Sequence, residues 1–352
     1  MKILITGGCG FVGSNLCIKI QSSIKNVKVT ALDNFYRKGS IINKKRLIDN
    51  NIEVIKCDVR NFKELDKVPK FDFLIDCAAD PSALSGVKDG LEYLFETNLN
   101  GTLNCLKLVR KFNAKIIFLS SSRVYPFDLI NKINFKVSKK SFVGNDKGVS
   151  GFNNINGISE DFNLEGLKTF YGFTKYSSEN LIKEYCNAFN LEYVINRSGV
   201  IAGPWQWGRV DQGFIGYWLL CYFFKKKLNY IGYKGKGNQV RDILHIDDLY
   251  NLVFLQLNEF YKFRNNTFNI GGGFKNKISL ANLTYICDDI FNISKKIYTI
   301  KETRYGDIPY YVTNFNKINK HSGWEPEIPV QKTVEDIYEW TKNNLIIFKK
   351  LI

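Results

Sequence analysis

Four glycines separate an apolar strand from a helix at the start of this 352-residue chain. Lys2 to Thr6 reads as a short buried strand, and glycines follow at positions 7, 8, 10 and 13. Phe11 to Ile24 has the apolar spacing of a helix, and Val27 to Leu32 reads as a second strand. A strand, a glycine turn, a helix and a further strand limit this region to a parallel β-α-β unit.

The same alternation continues through the first third of the chain. Ile52 to Lys56, Phe71 to Asp76 and Lys115 to Ser120 are further apolar runs, and Leu91 to Phe112 is the longest helical stretch between them. Strands that are apolar throughout and separated by helices indicate a parallel sheet covered on both faces. The pattern therefore predicts an α/β fold with a Rossmann-type, doubly wound sheet.

Residues 126–162 depart from this pattern. They are rich in Lys, Asn, Gly and Ser and show little periodicity, so we interpret them as a long loop or insertion. Beyond them, Thr169 to Phe189 reads as a helix and Glu192 to Asn196 as a strand. An insertion at this point could cover a binding site as a lid.

The second half predicts a smaller lobe. After Gly199 the apolar runs are short and lie between Gly and Trp residues, so the regular alternation stops. We predict a Rossmann domain of residues 1–199 plus about 246–270. Residues 200–245 and 271–352 would form the smaller C-terminal α/β lobe.

Bulk composition excludes several classes of protein. No run of eighteen uncharged apolar residues is present, so no membrane span is expected. The N-terminus has no signal-peptide pattern. Eight scattered cysteines, with no C-x-x-C pair, favour free thiols in the cytoplasm over a disulfide framework, and no metal is expected.

The net charge of +16 has two interpretations. It can attract a polyanion such as nucleic acid or a diphosphate, or it can be a lysine-rich surface with no partner of its own. The lysines are spread along the chain and no nucleic-acid-binding motif accompanies them. We therefore do not expect nucleic acid as a partner.

The glycine turn predicts a dinucleotide site. Gly7, Gly10 and Gly13 allow backbone amides to approach a pyrophosphate at the start of the helix, which Phe11 and Val12 open. Asp33 lies 20 residues beyond the last of these glycines, at the end of the second strand and before Asn34. A carboxylate there accepts hydrogen bonds from ribose hydroxyls and repels a 2′-phosphate, which favours NAD over NADP.

Two further strand ends could contact the same cofactor. Asp58 and Val59 follow the third strand, where the carboxylate could bind the adenine amino group or simply cap a turn. Ala78 and Ala79 follow the fourth strand. Their small side chains could let the backbone pass along the cofactor, or could serve packing alone.

Three polar side chains predict redox chemistry at a carbinol. Ser121 ends the fifth strand, where catalytic groups meet the ligand in open parallel sheets. Tyr171 and Lys175 are four residues apart and share one helix face. We expect the ammonium to lower the pKa of the phenol so that it acts as a base near neutral pH.

Together these motifs resemble the extended short-chain dehydrogenases, which include NAD-dependent nucleotide-sugar epimerases and dehydratases. The resemblance covers essentially the whole chain and includes residues 98–102, 196–204, 237–248 and 268–272. It implies a bound NAD, a nucleotide-diphosphate sugar as substrate, and a homodimer or homotetramer. It also places Asn98 beside the cofactor, steadying its helix.

Within the family, residues 122–125, 210–213 and 239–242 resemble the CDP-paratose 2-epimerase (tyvelose epimerase) branch. The resemblance implies a set of polar residues around the substrate. They are Ser122, Arg123, Asn196, Gln212, Arg241, Arg304 and Asp307. The two arginines of the second lobe would face the diphosphate, because guanidinium offers planar, charge-assisted donors.

The residues after the fifth strand separate two reaction types. Dehydratases of the family keep an acidic pair there to expel hydroxide, whereas this chain has Ser122 and Arg123. This favours an epimerase that oxidises a sugar carbon and reduces it on the other face. The alternatives left open are a UDP-sugar 4-epimerase, a dehydratase, or a non-catalytic NAD- or RNA-binding scaffold.

Overall fold

The computed structural model describes residues 1–82, 84–87, 90–144, 148–208 and 213–351. Its strands are β1 Lys2–Thr6, β2 Lys28–Asp33, β3 Glu53–Lys56, β4 Phe73–Asp76, β5 Lys115–Ser121, β6 Phe135–Ser138, β7 Ser141–Gly144, β8 Phe152–Asn153, β9 Gly157–Ile158, β10 Tyr193–Ser198, β11 Val200–Ala202, β12 Leu228–Ile231, β13 Val240–His245, β14 Asn266–Ile270, β15 Lys277–Ser279, β16 Ile297–Ile300 and β17 Tyr310–Tyr311.

The α-helices are α1 Phe11–Ser23, α2 Ser40–Asp49, α3 Phe62–Leu65, α4 Leu91–Phe95, α5 Gly101–Phe112, α6 Phe127–Lys132, α7 Phe170–Ala188, α8 Phe214–Phe223, α9 Ile246–Asn258, α10 Phe260–Phe263, α11 Leu280–Phe291, α12 Asn316–Ser322, α13 Val330–Asn343 and α14 Leu345–Leu351. A π-helical segment, Glu96–Asn100, joins α4 to α5. It interrupts the single helix that the sequence pattern predicts over Leu91 to Phe112.

Seven parallel strands form the central sheet, in the order β14-β10-β5-β4-β1-β2-β3. Strand β1 lies in the middle, where Leu4 pairs with Thr30 of β2 on one side and with Leu74 of β4 on the other. The order reverses at β1, so the loops after β1 and β4 open a crevice at the carboxyl edge of the sheet. The prediction of a doubly wound Rossmann-type sheet is confirmed.

Both faces of the sheet are buried because successive residues of each strand point to opposite sides. Ile5 of β1 packs on the face covered by α1 and α9, in a cluster with Leu16 and Val253. Leu4 packs on the other face with Leu106 of α5 and Ile182 of α7. The two layers hold α7 rigidly against the carboxyl end of β5.

Residues 126–162, which the sequence predicts to be a long loop or insertion, are not a loop throughout. The described part of this segment contains helix α6 and two antiparallel pairs, β6 with β7 and β8 with β9. Phe135 stacks on Tyr310 with ring centroids 5.4 Å apart, and both belong to a buried cluster with Val240 of β13. The segment therefore packs on the second half of the chain by its own aromatic core.

The second half builds smaller sheets. Strand β13 pairs with β11, β15 and β17, and β12 pairs with β16. The division into two lobes stays a prediction. Helix α12 lies within the predicted C-terminal lobe, yet Ile318 joins the core cluster of the large sheet together with Phe268 of β14.

No helix in the described part of the chain is long and apolar enough to cross a membrane. All eight cysteines are unpaired, and all but Cys77 are buried. Within the same residues, no group of three or more His, Cys, Asp and Glu side chains is placed to hold a metal ion.

Candidate active site

The glycine turn between β1 and α1 is as tight as its sequence predicts. Gly7 has a φ of 59°, and its carbonyl oxygen accepts a hydrogen bond from the amide of Gly10 at 2.9 Å. A Cβ atom at Gly7 would lie 2.7 Å from the carbonyl oxygen of Cys77, and one at Gly13 would lie 2.3 Å from that of Gly7. The turn thus leaves room for backbone only, which is the cradle that a pyrophosphate needs.

A cavity of about 240 Å³ lies over this turn. It is lined by most of the residues predicted to bind the cofactor, namely Gly7, Gly10, Phe11, Val12, Gly13, Asp33, Asn34, Val59, Ala78 and Ala79. Asp33 accepts hydrogen bonds from the backbone amides of Cys9, at 3.0 Å, and Phe35, at 2.8 Å. Burial raises the pKa of Asp33 despite these bonds.

Asp58 and Asn98, both predicted to contact the cofactor, do not line this cavity, and neither do Tyr171 and Lys175, which the family resemblance also places at the cofactor. Burial acts to raise the pKa of Asp58, but hydrogen bonds from Arg60 and Asn34 outweigh it and lower the pKa to about 2. Asp58 therefore fixes Asn34, whose side-chain amide donates to it at 2.9 Å. Asn98 is 1% exposed, and its amide joins the backbone of Asp80 to the hydroxyl of Thr174 on α7. Both side chains position neighbours.

A second cavity, of about 440 Å³, lies at the carboxyl ends of β5 and β10. It is lined by all three predicted catalytic residues and by five of the predicted substrate residues, namely Ser121, Tyr171, Lys175, Ser122, Arg123, Arg241, Arg304 and Asp307. The two cavities share the wall residues Phe11, Val12, Cys77, Ala79, Pro81 and Gln206. They therefore form one continuous cleft.

The Tyr171 phenol lies beside the Ser121 hydroxyl in this cleft. The Ser121 hydroxyl oxygen accepts the backbone amide of Arg123 at 3.1 Å, so it caps the 3-10 turn Ser122–Val124. Burial raises the pKa of Tyr171, while the neighbouring Ser121 hydroxyl and the charge of Arg123 lower it. The cation that lowers the pKa of the phenol here is thus Arg123, and the expectation that assigned this effect to Lys175 is not met.

Lys175 is 3% exposed, one helical turn beyond Tyr171. Burial lowers its pKa, while the nearby Asp76, Cys77 and Glu179 raise it. Its ammonium lies 4.2 Å from the centre of the Phe118 ring. The charge is held on the floor of the catalytic cavity, which Lys175 helps to line.

A buried ion pair supports this floor. Glu179, four residues beyond Lys175 on α7, is fully buried and accepts from Arg197 of β10 at 2.7 Å and from the Ser120 hydroxyl at 2.5 Å. Arg197 also donates to the hydroxyl of Tyr125 at 3.2 Å. The network connects β5, α7 and β10 directly beneath the reacting groups, and breaking one partner would leave a buried charge unpaired.

The far end of the cavity is positively charged. Arg241 donates to the Asp307 carboxylate at 3.1 Å and to the carbonyl of Ile308 at 2.9 Å. Arg304 lines the same wall. Arg123 donates to the carbonyl of Gly306 at 3.1 Å, so the loop that carries Arg304 is held from the catalytic side of the cleft.

One predicted substrate residue, Asn196, is not brought to the site. Asn196 is fully buried in β10, and its amide exchanges hydrogen bonds of 2.8 and 2.9 Å with Gln256 of α9. It packs within the fold, away from both cavities. Gln212 lies outside the described residues. Two buried glutamines that line the cleft were given no role from the sequence: Gln206, which no motif marks, and Gln239, which lies in the 239–242 motif.

The comparisons with known proteins identify the family. A family model of the NAD dependent epimerase/dehydratase family matches residues 3–271, and this chain belongs to that family. The CDP-paratose 2-epimerase of Salmonella typhi is 32% identical over 97% of this chain and 100% of that protein. A putative UDP-glucose 4-epimerase of Methanocaldococcus jannaschii is 27% identical over 97% of this chain and 99% of that protein. The resemblance stated from the motifs is confirmed.

Solved structures of the same family share the fold. UDP-glucose 4-epimerase from Bifidobacterium longum, in complex with NAD+ and UDP, superposes with a TM-score of 0.80 at 20% identity, covering 98% of this chain and 99% of that one. UDP-glucuronic acid 4-epimerase from Bacillus cereus, with UDP-glucuronic acid and NAD, gives 0.79 at 24% identity, covering 97% and 99%.

Proposed function

We propose that this protein is an NAD-dependent nucleotide-sugar epimerase that inverts one sugar carbon through a transient keto sugar. The observation that carries the proposal is the meeting of Ser121, Tyr171 and Lys175 in a cavity that opens into the glycine-turn cavity. A scaffold protein has no need of these three groups at the junction of two cavities. Family membership supports the same conclusion.

The residues around the glycine turn fit NAD. The missing Cβ atoms of Gly7 and Gly13 leave the space for a pyrophosphate, and Asp33 ends β2 where it can accept from ribose hydroxyls. The same carboxylate disfavours a 2′-phosphate. NAD, when bound, supplies a hydride acceptor and donor for the sugar carbon.

The chain's own residues then handle the proton and the charge. Tyr171 would take the proton of the sugar hydroxyl at its phenolic oxygen and return it after inversion. The Ser121 hydroxyl beside that oxygen and the charge of Arg123 both favour its ionised form. Arg241 and Arg304 would bind the diphosphate at the other end of the cavity.

The carboxylates of the cavity argue against dehydration. Among the described residues that line it, Asp307 is the only carboxylate, and Arg241 already binds it. An acid that expels hydroxide must face the leaving group with a proton to give. Ser122 and Arg123 cannot supply that proton, so epimerisation fits the site better than the dehydratase reaction of other relatives.

For the substrate, we propose a CDP-paratose-like sugar nucleotide. The support is the full-length similarity to the CDP-paratose 2-epimerase of Salmonella typhi, together with the branch motifs at 122–125 and 239–242. A UDP-sugar 4-epimerase is the second candidate, since such an enzyme is also among the relatives.

The test is a direct assay with a cofactor measurement. Denatured protein should release NAD(H) and not NADP(H). Incubation with CDP-paratose or CDP-tyvelose should give a mixture of the two with unchanged mass, and little solvent deuterium should enter the sugar. Loss of water from the product would establish a dehydratase. Activity with UDP-glucose alone would keep the mechanism and correct the substrate.

We also propose that the protein is a homodimer of the cytoplasm. Phe170 and Phe173 at the start of α7 are 38% and 46% exposed, which is a large apolar surface for one helix turn to show to water. The unpaired state of all eight cysteines suits a reducing compartment. Light scattering after size exclusion should give twice the 40.6 kDa chain mass, and a monomer would refute the proposed dimer.

A further inference from the structure

Residues 203–208 cross the cleft from β11 toward α8 and form what we call the strap. The carbonyl of Pro204 accepts from the Asn15 side chain of α1 at 3.3 Å, which ties the strap to the glycine-turn helix. Trp207 lies directly over Gly39, where a Cβ atom would come within 2.3 Å of the indole ring. The strap is therefore attached to α1 through Pro204, and it contributes Trp207 to the wall of the cofactor cavity.

Trp205 has a left-handed backbone, with a φ of 72°. This conformation is rare for a bulky residue and persists only where its surroundings enforce it. The Arg46 guanidinium lies 4.3 Å from the Trp205 ring centre, and the Trp340 ring lies 5.6 Å away. These contacts hold a strained turn, and the residue that the turn presents to the cleft is Gln206.

Gln206 is 8% exposed and its orientation is fixed. The side-chain nitrogen donates to the carbonyl of Ile201 at 3.1 Å, which identifies the other amide atom as the oxygen. Gly213 packs against the side chain, because a Cβ atom there would lie 3.0 Å from the Gln206 amide carbon. Among the described residues, no donor reaches the Gln206 oxygen.

A buried acceptor without a donor is costly, so a native site that keeps one usually has a ligand or water to satisfy it. Gln206 lines both cavities, one with the glycine turn and one with Tyr171 and Ser121. The nicotinamide ring and the reacting sugar of an NAD-dependent epimerase meet at this junction. Each carries a donor: the carboxamide amino group on the ring and a hydroxyl group on the sugar.

We propose that Gln206 is a specificity-determining contact whose side-chain oxygen accepts a hydrogen bond from an N–H or O–H donor of the bound ligands at the junction of the two cavities. The inference rests on the proposed function. It assigns the strap a role in ligand binding, because the two tryptophans that flank Gln206 fix the position of its oxygen. The carboxamide and the sugar hydroxyl are the two sources of the donor, and binding measurements separate them.

The test compares Gln206→Leu, which removes both amide groups, with Gln206→Glu, which keeps an acceptor but loses the bond to Ile201. Gln331→Leu, on the exposed face of α13, is the control. Two quantities are measured on each purified protein: NAD(H) retained per chain after gel filtration, and the dissociation constants of CDP-paratose and CDP. Thermal unfolding checks that each variant is folded.

The expected result is a selective loss of roughly 5- to 100-fold in Gln206→Leu, the range for a buried hydrogen bond left unmade. Reduced NAD(H) retention would assign the donor to the carboxamide. Weaker CDP-paratose binding with unchanged CDP binding would assign it to the sugar. In either case Gln206→Glu should retain most of the binding that Gln206→Leu loses.

Two results would overturn the inference while leaving the proposed function intact. One is wild-type ligand binding in Gln206→Leu. The other is an equal loss in Gln206→Leu and Gln206→Glu, because the bond to Ile201 would then explain the effect. A wild-type protein that holds no NAD(H) and binds no nucleotide sugar would overturn the proposed function itself, and the role of Gln206 with it.

Discussion

Gly172 lies against the backbone carbonyl of Arg123, so closely that a Cβ atom on Gly172 would come within 2.1 Å of that oxygen. The contact brings the first turn of α7 onto the 3-10 turn that Ser121 caps. Because Tyr171 is the neighbour of Gly172, this approach is what allows the phenol to reach the Ser121 hydroxyl. The glycine of the Tyr-Gly-Phe-Thr-Lys motif thus has a packing role.

We predict that Gly172→Ala lowers kcat by at least tenfold although alanine is the better helix former. The methyl group must push α7 away from Arg123 and increase the distance between the Tyr171 phenol and the Ser121 hydroxyl. Asn180→Ala, on the exposed side of the same helix, is the control. Steady-state kinetics with thermal unfolding decide the matter, and an active, stable Gly172→Ala protein would contradict the packing argument.

Tyr171→Phe should lower turnover by about 10²- to 10⁴-fold while leaving the fold intact. The change removes the proton acceptor and keeps the ring. Tyr185→Phe, further along α7, is the control and should have almost no effect on turnover. NAD(H) content should stay at the wild-type level, so that the loss can be assigned to chemistry. Near-normal turnover would remove Tyr171 from the mechanism.

Arg123→Met should shift the pH dependence of turnover to higher pH. The positive charge of Arg123 lowers the pKa of Tyr171, so its removal raises that pKa. The ionised phenol is the base, and activity rises with pH through the pKa of Tyr171. The rising limb should therefore shift to higher pH, and activity at pH 7 should fall on the order of tenfold. Arg123→Lys should restore much of the profile, and an unshifted limb in Arg123→Met would refute this role.

Arg241→Ala should raise KM about 10- to 100-fold, because truncating a partly buried charged contact costs several kcal/mol. Its guanidinium bonds Asp307 inside the cavity, far from the glycine turn, so NAD(H) content should not change. Arg264→Ala, which removes an exposed pair with Glu192, is the matched control. An unchanged KM would place the diphosphate elsewhere.

Asp242 gives a pH prediction for stability. Burial raises its pKa from 3.8 to about 6, in spite of the hydrogen bond from the Gly273 amide. The folded state therefore disfavours the charged form: the penalty is absent below about pH 3.8 and complete above about pH 6. Between these limits the unfolding free energy of the wild type should fall by about 3 kcal/mol relative to Asp242→Asn. Chemical denaturation of both proteins at pH 4 and pH 7 measures the difference, and a constant difference would contradict the raised pKa.

The parts of the molecule that the sequence predicts are those with long periodic elements or fixed spacing. The parallel sheet follows from apolar strands separated by helices, and Gly7 and Asp33 follow from their spacing along the β-α-β unit. The strands of the insertion were missed because they are only two to four residues long. An alternation of apolar and polar residues cannot be recognised over so few positions.

The site residues divide in the same way. Ser121, Tyr171 and Lys175 lie on regular elements whose ends the sheet fixes, so their convergence could be predicted. Asn196 was assigned to the substrate, but its direction depends on which face of β10 meets Gln256, and only the fold decides that. Gln206 stands on a strained turn, and the neighbouring Trp205 packs against Arg46 and Trp340. Because these two residues are far from Gln206 in the sequence, no local pattern could reveal the contact.

The aromatic packing around the strap has a spectroscopic consequence. Trp205, Trp207 and Trp340 pack in one cluster with Phe348 of α14, and Trp207 lines the cofactor cavity, so three of the five tryptophans of the chain belong to a cluster that reaches the place where NAD would bind. Reduced nicotinamide absorbs where indole emits. We therefore expect energy transfer from this cluster to quench the intrinsic emission whenever the bound cofactor is reduced, so that the protein reports each half of its own catalytic cycle without a label.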